Sequence, residues 1–458
     1  MTDLQGRLDA IVKAYDIRGT HPEQFDAEVA ARLGAGFASF LREVDPGVQR
    51  VLVGRDMRPS GEALLTAFAA ALIAQGYDVV DLGLISTDQL YFASGSLQAP
   101  GAVFTASHNP AGYNGIKMCL SGAAPISGAS GLDVIKAAAL DGPPPAAAAP
   151  GRMDAADVLA DYVDHVHTFI DVDALRPLKV AVDTANGMGG LVVPAAFDGL
   201  PLELDHLYAE LDGTFPNHPA DPIQPENQRD LRERVLATGA DIGLAFDGDA
   251  DRVFIVDERA EPLSGSLTTA MVGASILDRE PGATILYNLI CSRAVPEVIG
   301  ERGGQSVRTR VGHSFIKQEM AVTGAAFAGE HSGHYYFRDN YRADSGLIAA
   351  LVVIEMVSRA RVPLSEMRRP FERYVASGEI NTTVTDAGAV IEHVAVAMTA
   401  RGGALDRLDG LTVDFDDWWF NLRPSNTEPL LRLNLEAASR QACDDHVAEI
   451  QALMAAVD

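Results

Sequence analysis

Three aspartates recur at alternate positions in the stretch Asp247-Gly248-Asp249-Ala250-Asp251-Arg252. Carboxylates brought this close repel one another unless a cation neutralises them. Oxygen-only ligands suit magnesium, which keeps positions open for water or phosphate oxygens. In an extended segment the alternate positions would face one side. An EF-hand calcium loop does not fit. Glu258 falls at the twelfth position, but Arg252 stands at the sixth, where that loop needs glycine. The apolar runs 242–246 and 253–256 read as strands, not helices, and argue equally against a solvated acidic turn.

A second cluster is Thr105–Met118, TASHNPAGYNGIKM. It follows an apolar strand, so its loop belongs at the strand's carboxyl end, where α/β folds bind ligands. Asn109-Pro110 and Gly112 force a turn that holds Ser107 and His108 outward. A serine hydroxyl so placed can accept a phosphoryl group. Taken alone, a Ser-His pair more often bonds only its own turn. No G-x-S-x-G elbow supports a hydrolase triad.

Two more loops carry polar groups. In Gly329–Phe337, GEHSGHYYF, the side chains of Glu330, Ser332 and His334 can reach sugar hydroxyls, and His334 can move a proton. In Arg423–Pro429, RPSNTEP, a planar cation precedes Ser425, Asn426 and Thr427. That combination fits a phosphate monoester, with Arg432 close by in sequence. Either segment alone also reads as a plain polar loop.

The elements that position these loops follow from hydrophobic pattern. Strands are expected at 50–53, 77–82 and 102–105, with a helix at 61–75. Alternating strand and helix favours a largely parallel sheet. The linker Asp141–Gly151, DGPPPAAAAPG, separates this unit from a second. There, strands are expected at 179–182, 241–246 and 253–256. A third unit starts with 284–287 and 325–328. The tail has strand patterns at 379–384, 411–415, 418–422 and 430–435. Helices are expected at 387–401 and from Ser439, so the tail reads as a smaller α+β domain.

The chain has 458 residues, 47% hydrophobic and 22% charged. At about 150 residues per domain this predicts three domains, with room for four. The formal net charge of −27 repels nucleic acid and anionic membranes, so neither is an expected partner. A phosphorylated substrate then needs locally concentrated cations. Cys119, Cys291 and Cys443 are few and dispersed, which fits a reducing cytoplasm rather than a disulfide framework. Residues 1–14 show no apolar signal core. The apolar run 346–357 is too short to span a bilayer and contains Glu355, so it is expected to be a buried helix.

Together the four clusters resemble the α-D-phosphohexomutase family, in its bacterial phosphomannomutase/phosphoglucomutase type. The segment Lys13–Thr20, KAYDIRGT, resembles the N-terminal signature of that family. The resemblance implies four domains around a central cleft, three of related α/β fold with mixed sheets and a smaller C-terminal α+β domain. The boundaries expected here are 1–145, 152–257, 258–369 and 370–458. It implies that Ser107 is phosphorylated and that Asp247, Asp249 and Asp251 bind Mg²⁺ with a phosphoserine oxygen. Arg252, Lys117, Arg18 and His108 would surround the transferring group. Tyr15, His313, Glu330, Ser332 and His334 would contact the sugar phosphate. Arg423, Ser425, Asn426, Thr427 and Arg432 would hold the phosphate that is not reacting. Glucose or mannose 1,6-bisphosphate would serve as activator, and hexose phosphates as the small-molecule partners.

Several relatives have a lysine where NLICSR places Ile290; Arg293, Arg308 or Arg310 is the expected substitute. The GEHSGH loop favours mannose phosphates over the phosphoglucomutases whose loop ends in Ser-Ile. A phosphoglucosamine mutase would share the serine and aspartate motifs but differ at KAYDIRGT and RPSNTEP. A sugar-phosphate phosphatase, losing the phosphoryl group to water, and a non-catalytic sensor are the alternatives from other classes.

Overall fold

The computed structural model describes residues 4–13, 15–424 and 430–457. Four sheets divide the chain. In the first, Arg50–Arg55, Asp78–Leu84 and Gly101–Phe104 run parallel. They are joined through the helices Gly61–Ala74 and Thr87–Leu97. Val51, Leu52 and Val53 are fully buried, because helices cover both faces of a parallel sheet. Tyr113–Leu120 then returns antiparallel against Gly101–Phe104, and Ile17–Thr20 pairs antiparallel on it. The sheet is therefore mixed, where the alternation of strand and helix predicts mostly parallel pairing. A short connection brings the chain straight back, and only antiparallel pairing permits that.

The second and third sheets repeat this plan. Leu202–Leu207, Leu178–Asp183 and Ile242–Phe246 are parallel, and Val253–Asp257 returns antiparallel. Gln305–Thr309, Thr284–Asn288 and Phe327–Gly329 are parallel, and Tyr335–Phe337 returns antiparallel. In each unit one loop lies between a parallel strand and its antiparallel return. Those three loops carry Ser107, the aspartates and the GEHSGH residues. In the fourth sheet, Trp418–Pro424 and Leu430–Ala437 form an antiparallel pair on either side of the RPSNTEP loop. Helices start where serine hydroxyls accept a free amide: Ser86, Ser264, Ser345 and Ser439 each cap one.

The expected linker is present as an irregular segment, but the chain after it rejoins the first sheet. Met153–Ala155 pairs in parallel with Asp78–Leu84. Likewise Pro262–Leu263 completes the second sheet beyond residue 257. We propose that the second domain runs from after Ala155 to Leu263.

One hydrophobic core joins the first three domains, including Leu52, Leu90, Val180, Leu244, Leu267 and Leu347. The fourth domain has its own core around Val394, Phe420 and Leu433. Polar contacts fasten it. Arg293 donates to the carbonyls of Phe415 at 2.7 Å and Asp416 at 2.9 Å and pairs with Asp414. Arg373 pairs with Glu297 at 3.0 Å and Glu301 at 2.6 Å. The run 346–357 is a buried helix, Gly346–Ala360. Among the described residues no helix is long and apolar enough to cross a membrane. The three cysteines are free and buried.

Candidate active site

The serine loop is built around a buried guanidinium. Arg58 donates to the carbonyls of Ser107 at 2.8 Å, Asn109 at 2.6 Å, Pro110 at 2.8 Å and Tyr113 at 2.9 Å. Its remaining donor pairs with Asp56 at 3.2 Å. All five donors are thus used, which makes burial of the charge tolerable. Sequence reasoning missed Arg58; nothing in its local segment points to a loop fifty residues away. Ser107 itself has φ of 50°, a left-handed conformation uncommon for serine, as sites of function often impose.

Ser107 does not point outward as the turn predicts. It is 2% exposed, because the aspartate loop of the second domain covers it. A Cβ on Gly248 would lie 2.5 Å from the Ser107 carbonyl oxygen, so only glycine permits this approach. Ser107 Oγ donates to Asp247 Oδ2 at 2.7 Å, and Arg252 Nη2 donates to Ser107 Oγ at 3.2 Å.

The three aspartates do converge, but not by alternation along an extended strand. Residues 247–251 form a tight turn in which the amide of Ala250 bonds Asp247 O at 3.2 Å and Ala250 has φ of 63°. The Arg252 amide closes onto Asp247 Oδ1 at 3.2 Å. The turn, not strand periodicity, puts one oxygen from each carboxylate within 4.8 Å of the others. Asp249 Oδ1 and Asp251 Oδ1 are buried and accept no hydrogen bond among the described residues. Orphaned carboxylate oxygens of this kind are what a hard divalent cation requires, so the set can hold a metal ion.

Side-chain cations balance the cluster. Lys117 Nζ lies 2.7 Å from Asp249 Oδ2 and 2.5 Å from Asp251 Oδ2. Arg252 pairs with Asp247 Oδ2 at 2.9 Å. Burial pushes the Asp247 carboxyl up to about 7, with Arg252 opposing. Burial also acts against charge on Asp249 and on Lys117, but their mutual attraction outweighs it. Asp249 is held well below the usual carboxylate range and Lys117 above the usual ammonium range. Arg18 sits on the strand paired with Tyr113–Leu120, which brings it beside the Lys117 strand. It bonds Asp16 and Asn109, each at 2.7 Å. His108 contacts Arg252 and lies 3.3 Å from Ser107 Oγ. Burial first, then Arg252 and Arg18, press His108 well below the ordinary imidazole range, so it is neutral.

The third domain supplies a polar wall. The backbones of Arg252 and His334 bridge, so the aspartate and GEHSGH loops touch directly. His334 Nδ1 bonds Asp344 Oδ2 at 2.9 Å and lies 3.7 Å from Asp251 Oδ1. Burial opposes its protonation, but Asp251 and Asp344 prevail and raise its pKa. Lys317 Nζ pairs with Asp344 Oδ1 at 2.9 Å and sits 3.5 Å above the Tyr91 ring. Asp344 and Lys317 escaped the sequence reading, although Lys317 follows the expected site residue His313 by four positions. Glu330 accepts from Tyr336 at 2.6 Å and Asn288 at 3.0 Å. Ser332 lies half-buried in the turn that joins Glu330 to His334. His313 is held down to about 3 by burial, with Lys317 adding to it. Tyr15 packs edge-on against His313 and donates to Val311 O at 3.2 Å. Arg18, Ser107, His108, Lys117, Arg252 and His334 face one small cavity of about 50 Å³.

Arg423 and Arg432 stand directly opposite in the antiparallel register. Like charges so placed repel unless anions balance them, and Asp409 lies 3.8 Å from Arg423 and Glu379 3.4 Å from Arg432. Each arginine leaves a buried Nε without a hydrogen-bond partner among the described residues. Ser425, Asn426 and Thr427 lie outside the described residues. Ile290 faces a cavity of about 260 Å³ between the third and fourth domains, together with His331 and Asn434. Of its expected substitutes, Arg293 and Arg308 are tied to Asp414 and Asp406. Arg310 is exposed and stacks 4.5 Å over Phe315, whose ring contacts Tyr15.

The comparisons with known proteins agree along the chain. Four family models match in order. Three are described as phosphoglucomutase/phosphomannomutase alpha/beta/alpha domains I, II and III, at residues 9–140, 160–261 and 264–374. The fourth, the C-terminal domain, matches 379–453. The phosphomannomutase of Salmonella typhimurium is 39% identical over 434 residues, covering 93% of this chain and 94% of its own. The "phosphohexose mutases" protein of Xanthomonas campestris is 38% identical over 430 residues, with the same coverages. A crystal structure of a phosphoglucomutase/phosphomannomutase family protein from Burkholderia thailandensis superposes with a TM-score of 0.89 at 33% identity. It covers 100% of this chain and 98% of that one. Four matched domains in sequence order, over a cleft lined by serine, aspartates and cations, make this chain a mutase of the α-D-phosphohexomutase family, of the bacterial phosphomannomutase type.

Proposed function

We propose that the chain interconverts mannose 6-phosphate and mannose 1-phosphate through a phosphorylated Ser107 and a bound hexose 1,6-bisphosphate. The observation that carries this reading is the setting of Ser107 Oγ. It lies between Asp247 at 2.7 Å and Arg252 at 3.2 Å, against an aspartate loop in which two carboxylate oxygens accept no hydrogen bond among the described residues.

Phosphoryl transfer depends on positioning and charge neutralisation more than on covalent help. Asp247, Asp249 and Asp251 would hold Mg²⁺ together with a phosphoserine oxygen, and the ion would neutralise charge on the transferring group. Arg252 stays with the phosphoryl oxygens as the bond from phosphorus to Ser107 Oγ breaks, and the serine oxygen so released takes up a proton from water to become a hydroxyl again. The sugar hydroxyl forms the new bond, and its proton passes to His334, whose Nε2 is left free by the Nδ1 bond to Asp344. Lys117, held protonated, acts as a fixed cation, with Arg18 and the neutral His108 beside it. Arg423, Arg432 and the loop between them bind the distal phosphate and convert that binding into orientation. Glu330 and Ser332 meet sugar hydroxyls, and Tyr15, His313 and Arg310 line the approach. The bisphosphate then turns around, and its other phosphate returns to Ser107. Glucose or mannose 1,6-bisphosphate primes the serine.

Turnover of both mannose and glucose phosphates is a second reading. The Xanthomonas relative named for phosphohexoses is nearly as similar as the Salmonella phosphomannomutase. Phosphorus NMR with Mg²⁺, a trace of glucose 1,6-bisphosphate, and mannose 1-phosphate or glucose 1-phosphate separates them. A 6-phosphate forming much faster from mannose supports the first reading, and similar rates support the second. Release of inorganic phosphate alone overturns both in favour of a phosphatase.

A further inference from the structure

The first turn of the helix Thr87–Leu97 reaches across a domain boundary to the aspartate loop. Thr87 is fully buried. Its hydroxyl donates to Asp249 Oδ2 at 2.6 Å, and its amide donates to the Asp249 carbonyl at 3.1 Å. One residue thus holds both the side chain and the backbone of Asp249.

The effect on Asp249 is directional. Oδ2 takes the Thr87 hydroxyl and the Lys117 ammonium, whereas Oδ1 is buried with no hydrogen-bond partner among the described residues. A carboxylate pinned by one oxygen presents the other in a fixed direction. Ion ligands are commonly oriented by such outer contacts, and removing one typically costs tenfold to a hundredfold in affinity.

The threonine is itself held firmly. Ser86 caps the helix by accepting from the Gln89 amide, and its own amide donates to Gln89 Oε1 at 2.9 Å. The next residue, Asp88, accepts from Ser86, from Tyr162 of the second domain and from Ser345 of the third at 2.7 Å. Three domains therefore fix the helix start, and Thr87 passes that rigidity to one aspartate.

We infer that Thr87 is a positioning residue for divalent-cation binding, acting through Asp249. The inference rests on the reading of Asp249 as a metal ligand. It assigns Thr87 no contact with the sugar or the transferring phosphoryl group.

The test is direct binding of Mn²⁺, measured by electron paramagnetic resonance on the full-length protein without substrate. The variants are Thr87→Val, Thr87→Ala, Thr87→Ser and Asp249→Asn. Thr87→Val and Thr87→Ala should each weaken Mn²⁺ binding about tenfold or more, and Thr87→Ser should bind close to wild type. Raising Mg²⁺ should recover turnover in the two weakened variants. Should Thr87→Val fail to fold, Thr87→Ala carries the comparison, because its smaller side chain fits the same space. Wild-type binding in both hydroxyl-free variants overturns the inference, as does a Thr87→Ser variant as weak as Thr87→Ala. If Asp249→Asn binds Mn²⁺ like wild type, the metal assignment itself falls, a result distinct from failure at Thr87 alone.

Discussion

Ser107 Oγ reaches Asp247 Oδ2 at 2.7 Å across 140 positions of sequence, from one domain into the next. The contact joins the nucleophile of the proposed reaction to the proposed metal site. It also requires Gly248, whose missing side chain lets the two loops close.

Replacing Ser107 with alanine removes the only proposed phosphoryl carrier. Turnover in the NMR assay should fall by about a thousandfold or more, as when other enzymes lose their nucleophile. Mass spectrometry after incubation with glucose 1,6-bisphosphate should find a phosphate on the wild-type chain and none on S107A. Equal phosphate on both would move the carrier elsewhere.

Arg423 stands opposite Arg432, and each has one carboxylate nearby, Asp409 at 3.8 Å and Glu379 at 3.4 Å. Arg423→Ala should raise KM by about tenfold or more, the scale of one lost charged hydrogen bond, and change kcat much less. Steady-state kinetics read the split. A fall in kcat at unchanged KM would place Arg423 at the reacting phosphoryl group instead.

Asp88 supplies a pH test of the three-domain junction. Burial pushes its carboxyl up to about 6, with the hydroxyls of Ser86, Tyr162 and Ser345 opposing. The folded chain therefore binds this proton more tightly than the unfolded chain does. The resulting stability is full below the ordinary value of 3.8 and is lost as pH rises through about 6. The loss is on the order of 3 kcal/mol. An Asp88→Asn variant cannot titrate, so its melting temperature should gain on wild type up to about pH 6 and then run parallel. A constant difference across that range would mean that Asp88 does not titrate there.

Arg293 fastens the fourth domain through Asp414 and the Phe415 and Asp416 carbonyls. Arg293→Ala should speed proteolysis in the connection 368–375 by roughly tenfold, because open forms become more populated. Cleavage at the wild-type rate would show that other contacts, such as Arg373 with Glu297, suffice.

The motif loops were legible because each packs its chemistry into a few consecutive residues between recognisable strands. Strands such as 242–246 and 253–256 and the helix 346–357 follow from hydrophobic period alone. Less legible was how the loops close. Alternate aspartates suggested an extended face, whereas a tight turn at Ala250 gathers them. Ser107 was expected outward, and it is buried because a second domain lies on it.

The residue types and their order were set by the chain itself: a serine in a proline-turned loop, three oxygen ligands, and arginines beside a phosphate-like loop. Those properties are local, and the family likeness rests on them. Tertiary structure alone decided which residues support the loops. Arg58 binds the serine-loop carbonyls from about fifty positions away, Thr87 holds Asp249 across 162, and Asp344 bonds His334 with one oxygen while Lys317 pairs with the other. None of these has a local signature. A hydrogen bond to a distant chain segment needs only a common polar side chain, and which partner it meets is settled by how the domains pack.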